Sequence, residues 1–305
     1  MKDVTQEYGE RIRRLQQVLL ENTSTLSDKL RSEIYSRFND VRYFLVDFND
    51  DNYSNNTLAY YSNSDGNIYL MDKNYHVAEK NLSQREKERL LATISNPITD
   101  VVILHEMIHS VTRRYDPFSV INNVCLGYRT KKIGHSFTGN TKITFQDNIA
   151  LNEGATEFYA QKFLNAESGN YVFYVQLYKI LSNVCGYEKL KEAYFSSDIN
   201  KFKGVVKDAF HLKDDVLIEK LLQQMDIVQR FAEQTHSVSE YLPLVTNCFR
   251  TLTEMQINKM KVEAKATSKT NAEFAKKFKD EFDKLLSLAE KGIAELIQKQ
   301  NEALK

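Results

Sequence analysis

The chain has 305 residues, 42% of them apolar and 27% charged, which fits a soluble globular protein of one large domain or two modest ones. Lysine plus arginine and aspartate plus glutamate balance at 41 each, so nothing points to nucleic acid or an anionic membrane as the main partner. Cys125, Cys185 and Cys248 are far apart and form no C-x-x-C pair, which argues against a cysteine metal site and for a reducing compartment.

Met1 to Leu20 is charged throughout and lacks the apolar segment of a signal peptide, and no run reaches membrane-spanning length. The expectation is a cytoplasmic protein, with secretion by a signal-independent route left open. Residues 6–38 place Ile12, Leu15, Leu19, Leu30, Ile34 and Phe38 at helical spacing, which predicts two helices joined through Ser24 and Asp28. Val41 to Phe48 is β-branched and aromatic, hence a strand. Thr57–Tyr61 and Asn67–Met71 flank the turn-rich Ser62–Gly66 and predict a hairpin.

Ser83-Gln84-Arg85-Glu86 opens a predicted helix to about Ile94 as a capping box. Pro97 suits the first turn of the next helix, with Asp100 near its positive end. That helix, running to about Arg114, carries His105-Glu106-Met107-Ile108-His109. Residues four apart lie one above the other on a helix face, so both imidazoles can reach a single ion. Glu106 points about 100° round the helix from His105 and can approach a water held by that ion. Val101 to Leu104, Met107, Ile108 and Val111 make the helix apolar on most sides, so its polar residues must be satisfied inside the protein.

Lys131 to Gln146 predicts a second hairpin turning at Thr138-Gly139-Asn140. A helix from Asn148 to about Asn165 then bears Asn152-Glu153-Gly154-Ala155-Thr156-Glu157, and helices follow over 171–184, 187–195 and from Asp198 onward. Catalytic zinc takes three protein ligands and keeps a fourth position for water. With two histidines assigned, Glu153, 44 residues beyond His109, is the candidate third ligand. Glu157, one turn later, is placed to accept the second ring N–H of a ligating histidine. Gly154 would let this helix approach the motif helix closely.

These two blocks, over residues 55–195, resemble the gluzincin zinc peptidases. The resemblance implies an α+β fold with a zincin-like core: a small mixed sheet, the motif helix and a helical C-terminal portion. It implies one Zn2+ on His105, His109 and Glu153, Glu106 as general base, and Glu157 orienting a ligand. The domains expected are a helical flank over 1–40, a catalytic domain over 41–235 and a helical extension over 236–305. The activity implied is hydrolysis of a peptide bond by a metal-activated water, most simply by an endopeptidase, with an aminopeptidase as its variant. The alternative is a target-specific regulatory or toxin-like protein, or a non-catalytic module that keeps the fold for binding.

Such sites add a Tyr, His or Arg beside the developing oxyanion, and the candidates are Tyr174, Tyr171 and His135. Arg129 is a candidate for a peptide carboxylate. Asn67–Met71 would border the cleft and offer its open edge to an extended substrate. His76, His211 and His236 read as isolated surface or loop residues. Phe274, Phe278, Phe282, Leu285, Ala289, Ile293 and Leu296 trace a last amphipathic helix, expected to pack on the body of the protein or to join a partner helix or second copy. The partners expected are therefore a peptide or protein substrate, with no nucleic acid and no membrane.

Overall fold

The apolar periodicity near the N-terminus forms two helices: α1 (Gly9–Asn22) buries Ile12, Leu15 and Leu19, and α2 (Asp28–Arg37) buries Leu30 and Ile34. The computed structural model describes residues 2–6, 8–46, 58–62, 65–70, 98–116, 122–135, 141–168, 171–232 and 238–266, together with Lys276, Asp280, Asp283 and Ser287. They build an α+β protein that divides into two compact units, Met1–Thr112 with Tyr159–Glu167, and Arg113–Phe158 with Ser168–Lys305.

In the first unit a mixed sheet runs in the order β1 (Lys2–Asp3), β2 (Tyr43–Leu45), β4 (Ile68–Leu70) and β3 (Ala59–Tyr61). β3 and β4 form the predicted hairpin, with the paired Tyr60 and Tyr69 rings stacked at 4.8 Å. β4 is parallel to β2 on its other side. The open edge expected at Asn67–Met71 is therefore corrected: β4 is an interior strand, and β3 ends the sheet among the described residues. The sequence hid this because β2 lies 23 residues upstream and no local pattern announces a parallel partner.

Helix α3 (Asp100–Thr112) packs against α1, α2, β3 and β4, and every residue from Val101 to Thr112 is buried. Both of its ends are held by arginines. At the N-terminus Arg11 Nε donates to Asp100 at 2.6 Å and Arg11 Nη2 to the Ile98 carbonyl at 2.9 Å, while Arg14 also pairs with Asp100. Burial works against the Asp100 charge, but the hydrogen bonds from Arg11 and Arg14 outweigh it and hold the carboxyl below its ordinary range. At the other end Arg37 Nη1 donates to the Val111 carbonyl at 3.4 Å. The helix stops at Thr112, earlier than its pattern predicts, because Arg113 and Arg114 pair into a strand.

That strand, β5 (Arg113–Asp116), opens the second unit. It continues through β6 (Asn122–Leu126), β7 (Arg129–His135) and β8 (Thr141–Asp147) as one antiparallel sheet in chain order. Only the β7–β8 hairpin was legible beforehand. Gly127, at φ +52°, takes the first central position of the two-residue turn between β6 and β7, where a left-handed residue suits the twist of the strands. Helices α4 (Ile149–Leu164), α5 (Val172–Cys185), α6 (Tyr187–Phe195), α7 (Ile199–Ala209), α8 (Val216–Ala232) and α9 (Val238–Ala266) follow. Cys185 and Cys248 are buried free thiols whose burial pushes each up to about 12.

The helix expected over 83–94, Pro97, the Thr138–Asn140 turn, His76, His236 and the apolar stripe from Phe274 to Leu296 lie outside the described residues. Lys276, Asp280, Asp283 and Ser287, spaced as one helix face, are helical and exposed. Among the described residues no helix is long and apolar enough to cross a membrane.

The start of α4 is fixed from a distance. Asp226 on α8 accepts the backbone N–H of Asn148 at 2.8 Å and of Ala150 at 3.1 Å, serving as a cap supplied by another helix. Its burial raises the carboxyl above the ordinary value, against the lowering effect of those two N–H groups. A raised folded-state value means that the folded chain binds this proton more tightly than the unfolded chain. The contribution is then whole below the ordinary carboxylate value and is lost as pH rises through the raised one. Replacing Asp226 by Ala leaves one buried and one half-buried N–H group without this acceptor. It is expected to cost about 1–3 kcal/mol in urea denaturation and to remove that pH-dependent slope from the native protein's stability.

Candidate metal centre

His105 and His109 stand one turn apart on α3, with their Nε2 atoms 3.0 Å from each other. The rings meet edge to face, 4.7 Å between centroids and 77° between planes. Both are buried, as is Glu106. Most of the other positions of their helix are apolar and buried, and the clamps at Asp100 and Val111 fix it along its axis.

On α4 each residue of the Asn152-Glu153-Gly154 triplet has a separate task. Asn152 is fully buried, and its Oδ1 accepts the backbone N–H of Tyr128 at 3.2 Å, seating the β6–β7 turn on the helix. A Cβ on Gly127 would overlap that same Asn152 oxygen and the Tyr194 ring, so the turn is pressed closely against its neighbours. Tyr128 is anchored further through its hydroxyl, which donates to the Leu190 carbonyl at 3.0 Å and meets the Tyr178 hydroxyl at 3.2 Å. Gly154 admits α5: a Cβ there would stand 2.5 Å from Tyr174 Cβ and 2.9 Å from the Tyr174 carbonyl carbon and oxygen. The close approach predicted at this glycine exists, but its nearest neighbour is α5 and not the motif helix.

Between these two anchors stands Glu153, buried, with its Oε1 3.9 Å from Nη1 of Arg129 on β7. One ligand atom from each of His105, His109 and Glu153 lies within 4.8 Å of the other two, and all three side chains are buried. This is the only such group of metal-ligating side chains among the described residues.

The other expected residues fall as follows. Glu157 is almost fully buried, and its carboxylate accepts a hydrogen bond from the Ser168 hydroxyl. Tyr174 is buried on α5 beside Gly154, with its ring 5.1 Å from that of Phe173 and 6.4 Å from that of Tyr171. Tyr171 caps the start of α5 in a left-handed conformation, φ +51°, and is partly exposed. His135 ends β7, and its side chain lies outside the described residues. His211 is an exposed residue whose Nε2 is 3.9 Å from Glu263.

Sequence reasoning missed the jobs of Asn152 and Asp226. Asn152 lies immediately before the assigned ligand, but its partner Tyr128 belongs to a turn that no motif marked. No protein-family model matches this chain, and no curated protein or solved structure matches it either.

Gly154→Ala is expected to force α4 and α5 apart. The loss should be about 1–3 kcal/mol, the usual range for overpacking a filled core, read as a lower thermal midpoint.

Proposed function

We propose that this protein is a zinc-dependent metallopeptidase of the gluzincin type, an endopeptidase with a zincin-like core, in which His105, His109 and Glu153 hold one zinc ion. The observation that carries this reading is the convergence of these three buried donors within 4.8 Å, on a helix that also bears the buried Glu106. The donor set fits zinc. A tetrahedral ion with bonds of 2.0–2.2 Å keeps its ligand atoms about 3.4 Å apart, and the two imidazole nitrogens stand 3.0 Å apart. Two nitrogens and one carboxylate oxygen, with a fourth position left for water, are the pattern of catalytic sites, whereas structural sites are closed and commonly use cysteine.

When bound, the zinc would supply an activated water and polarise the scissile carbonyl. Glu106, adjacent to His105, takes the proton of the attacking water and passes it to the leaving amine. Glu157 orients a histidine ring by accepting its second N–H, and the hydrogen bond from Ser168 keeps that carboxylate in position. Tyr174 serves as the donor to the carbonyl oxygen that gains charge, its backbone held by the contact at Gly154. An extended substrate adds to the sheet along β3, which ends it among the described residues. We place the activity in the cytoplasm, acting on peptides or proteins.

The competing reading, a binding module without hydrolysis, is separated by substitution. Glu106→Gln should retain one equivalent of zinc by elemental analysis and lose about 100-fold or more of peptide turnover. Glu153→Ala and His109→Ala should each lose zinc on dialysis. Full turnover in Glu106→Gln would remove the assigned base, and undiminished zinc in Glu153→Ala would remove the third ligand.

A further inference from the structure

Helix α8 carries apolar side chains on two opposite faces. Ile218, Leu221, Leu222, Met225 and Val228 are buried, whereas Val216, Ile227 and Phe231 are 66%, 49% and 41% exposed. At about 100° per residue these three fall within about 60° of arc, away from the buried row, and span about 22 Å along the helix. Three of the six large apolar side chains exposed among the described residues therefore share one helix face. Single exposed apolar residues are ordinary, but a row of them on one face marks a contact surface.

The same chain holds a matching row. Its C-terminal apolar stripe, from Phe274 to Leu296, recurs at intervals of 4, 4, 3, 4, 4 and 3 residues. That period of 11 gives about 3.67 residues per turn, against about 3.5 in a left-handed coiled coil, so the stripe is not that of an ordinary two-stranded zipper between copies. Lys276, Asp280, Asp283 and Ser287 are helical and exposed, and on the same helical count they stand nearly opposite the stripe. Five lysines and five acidic residues between Phe274 and Leu296 cancel, so an anionic lipid surface is not favoured.

The end of α9 decides what the stripe can reach. Lys220 on α8 pairs with Glu254 on α9 at 2.9 Å, and Gln224 accepts from Thr251 at 2.8 Å, so the two helices run antiparallel. On that register Val216 lies about 11 Å and Phe231 about 34 Å back from Ala266, where α9 ends. Thr267-Ser268-Lys269-Thr270 then breaks the pattern, and Thr270-Asn271-Ala272-Glu273 is a capping box that opens a new helix. Four residues span up to about 13 Å, enough to turn back beside a helix about 8–10 Å away. Running back from Asn271, Phe278 and Phe282 come about 10 Å and about 16 Å along, on either side of Val216. Ala289 and Ile293 come about 27 Å and about 33 Å along, at Ile227 and Phe231. So short a tether also holds the stripe at a local concentration on the order of millimolar, which a second copy in solution does not match.

We propose that the C-terminal stripe Phe274–Leu296 docks on the Val216, Ile227 and Phe231 face of α8 in the same chain, as a third helix against the α8–α9 pair. The exposure of those three side chains is that of the undocked chain. The proposal does not depend on the peptidase reading, and its test needs neither metal nor substrate.

In the full-length protein Phe231→Cys is combined in turn with Ala289→Cys, Ile293→Cys and Leu296→Cys, then oxidised and run without reductant. At least one pair should bridge within a single chain, as located by mass spectrometry. Val216→Cys with Ile293→Cys, about 22 Å apart when docked, should not bridge. Bridges that join two chains make a second copy the occupant and overturn the proposal. It is overturned equally if none of the three pairs bridges, or if the Val216 control bridges as readily as they do.

Tryptic cleavage between Lys276 and Lys291 gives a second reading, because docking protects that stretch. Ile227→Asp combined with Phe231→Asp is expected to speed this cleavage about tenfold or more. Both positions are exposed, so circular dichroism should stay native. Unchanged cleavage in a natively folded variant overturns the docking site.

Discussion

Ionisable side chains buried within two apolar helices are the constraint around which this protein is arranged. His105, Glu106 and His109 lie in a helix with no exposed residue from Val101 to Thr112, and Glu153 and Glu157 are buried on α4. A buried charge left uncompensated costs several kcal/mol, and a whole domain is stable by only about 5–15 kcal/mol. Core packing alone therefore gives no reason for these residues at these positions. Leucine or methionine there would make a more stable helix. The helix that carries three of them is clamped at both ends by arginines. Arg11, Arg14 and Arg37 lie on the first two helices and fasten the two ends of the third. The histidine pair thus inherits its axial position from residues far upstream.

The same logic applies on α4, where three consecutive residues face three demands. Asn152 receives a turn, Glu153 offers a carboxylate, and Gly154 makes room for another helix. Successive residues are about 100° apart on a helix, so a triplet of this kind addresses three neighbours at once. Exchanging the order of the three would aim each at the wrong neighbour. Asp226 closes the arrangement by holding the first turn of α4, so that Glu153 is fixed along the helix as well as around it.

Much of this was legible in the sequence where the signal is local. The two N-terminal helices, the β3–β4 hairpin, the motif helix and most of the later helices follow from apolar spacing within a single segment. The histidine pair was legible because a four-residue interval on a helix has one geometric meaning, and Glu153 through the Asn152-Glu153-Gly154 block that resembles a ligand helix. What escaped was non-local. Arg113-Arg114-Tyr115-Asp116 is too charged to read as a strand and becomes one only through its pairing with β6. The interior position of β4 depends on β2, and the neighbour of Gly154 depends on where α5 returns. A glycine beside a candidate ligand announces a close approach without naming the element that approaches.

If the donors from α3 and α4 bind one cation in the folded chain, and the unfolded chain binds none, then cation affinity and fold stability are linked quantities. A ligand at about a thousand times its dissociation constant adds about 4 kcal/mol to the folded state, comparable to a third of a typical domain's margin. The linkage runs through every residue that positions a donor. Arg11 and Asp226 touch no ligand, but each holds the end of a helix that carries one. Loosening either end makes the donors search for their geometry, and the entropy of that search is subtracted from binding. On that condition, metal retention would be a property of the helix ends as much as of the imidazoles and carboxylate.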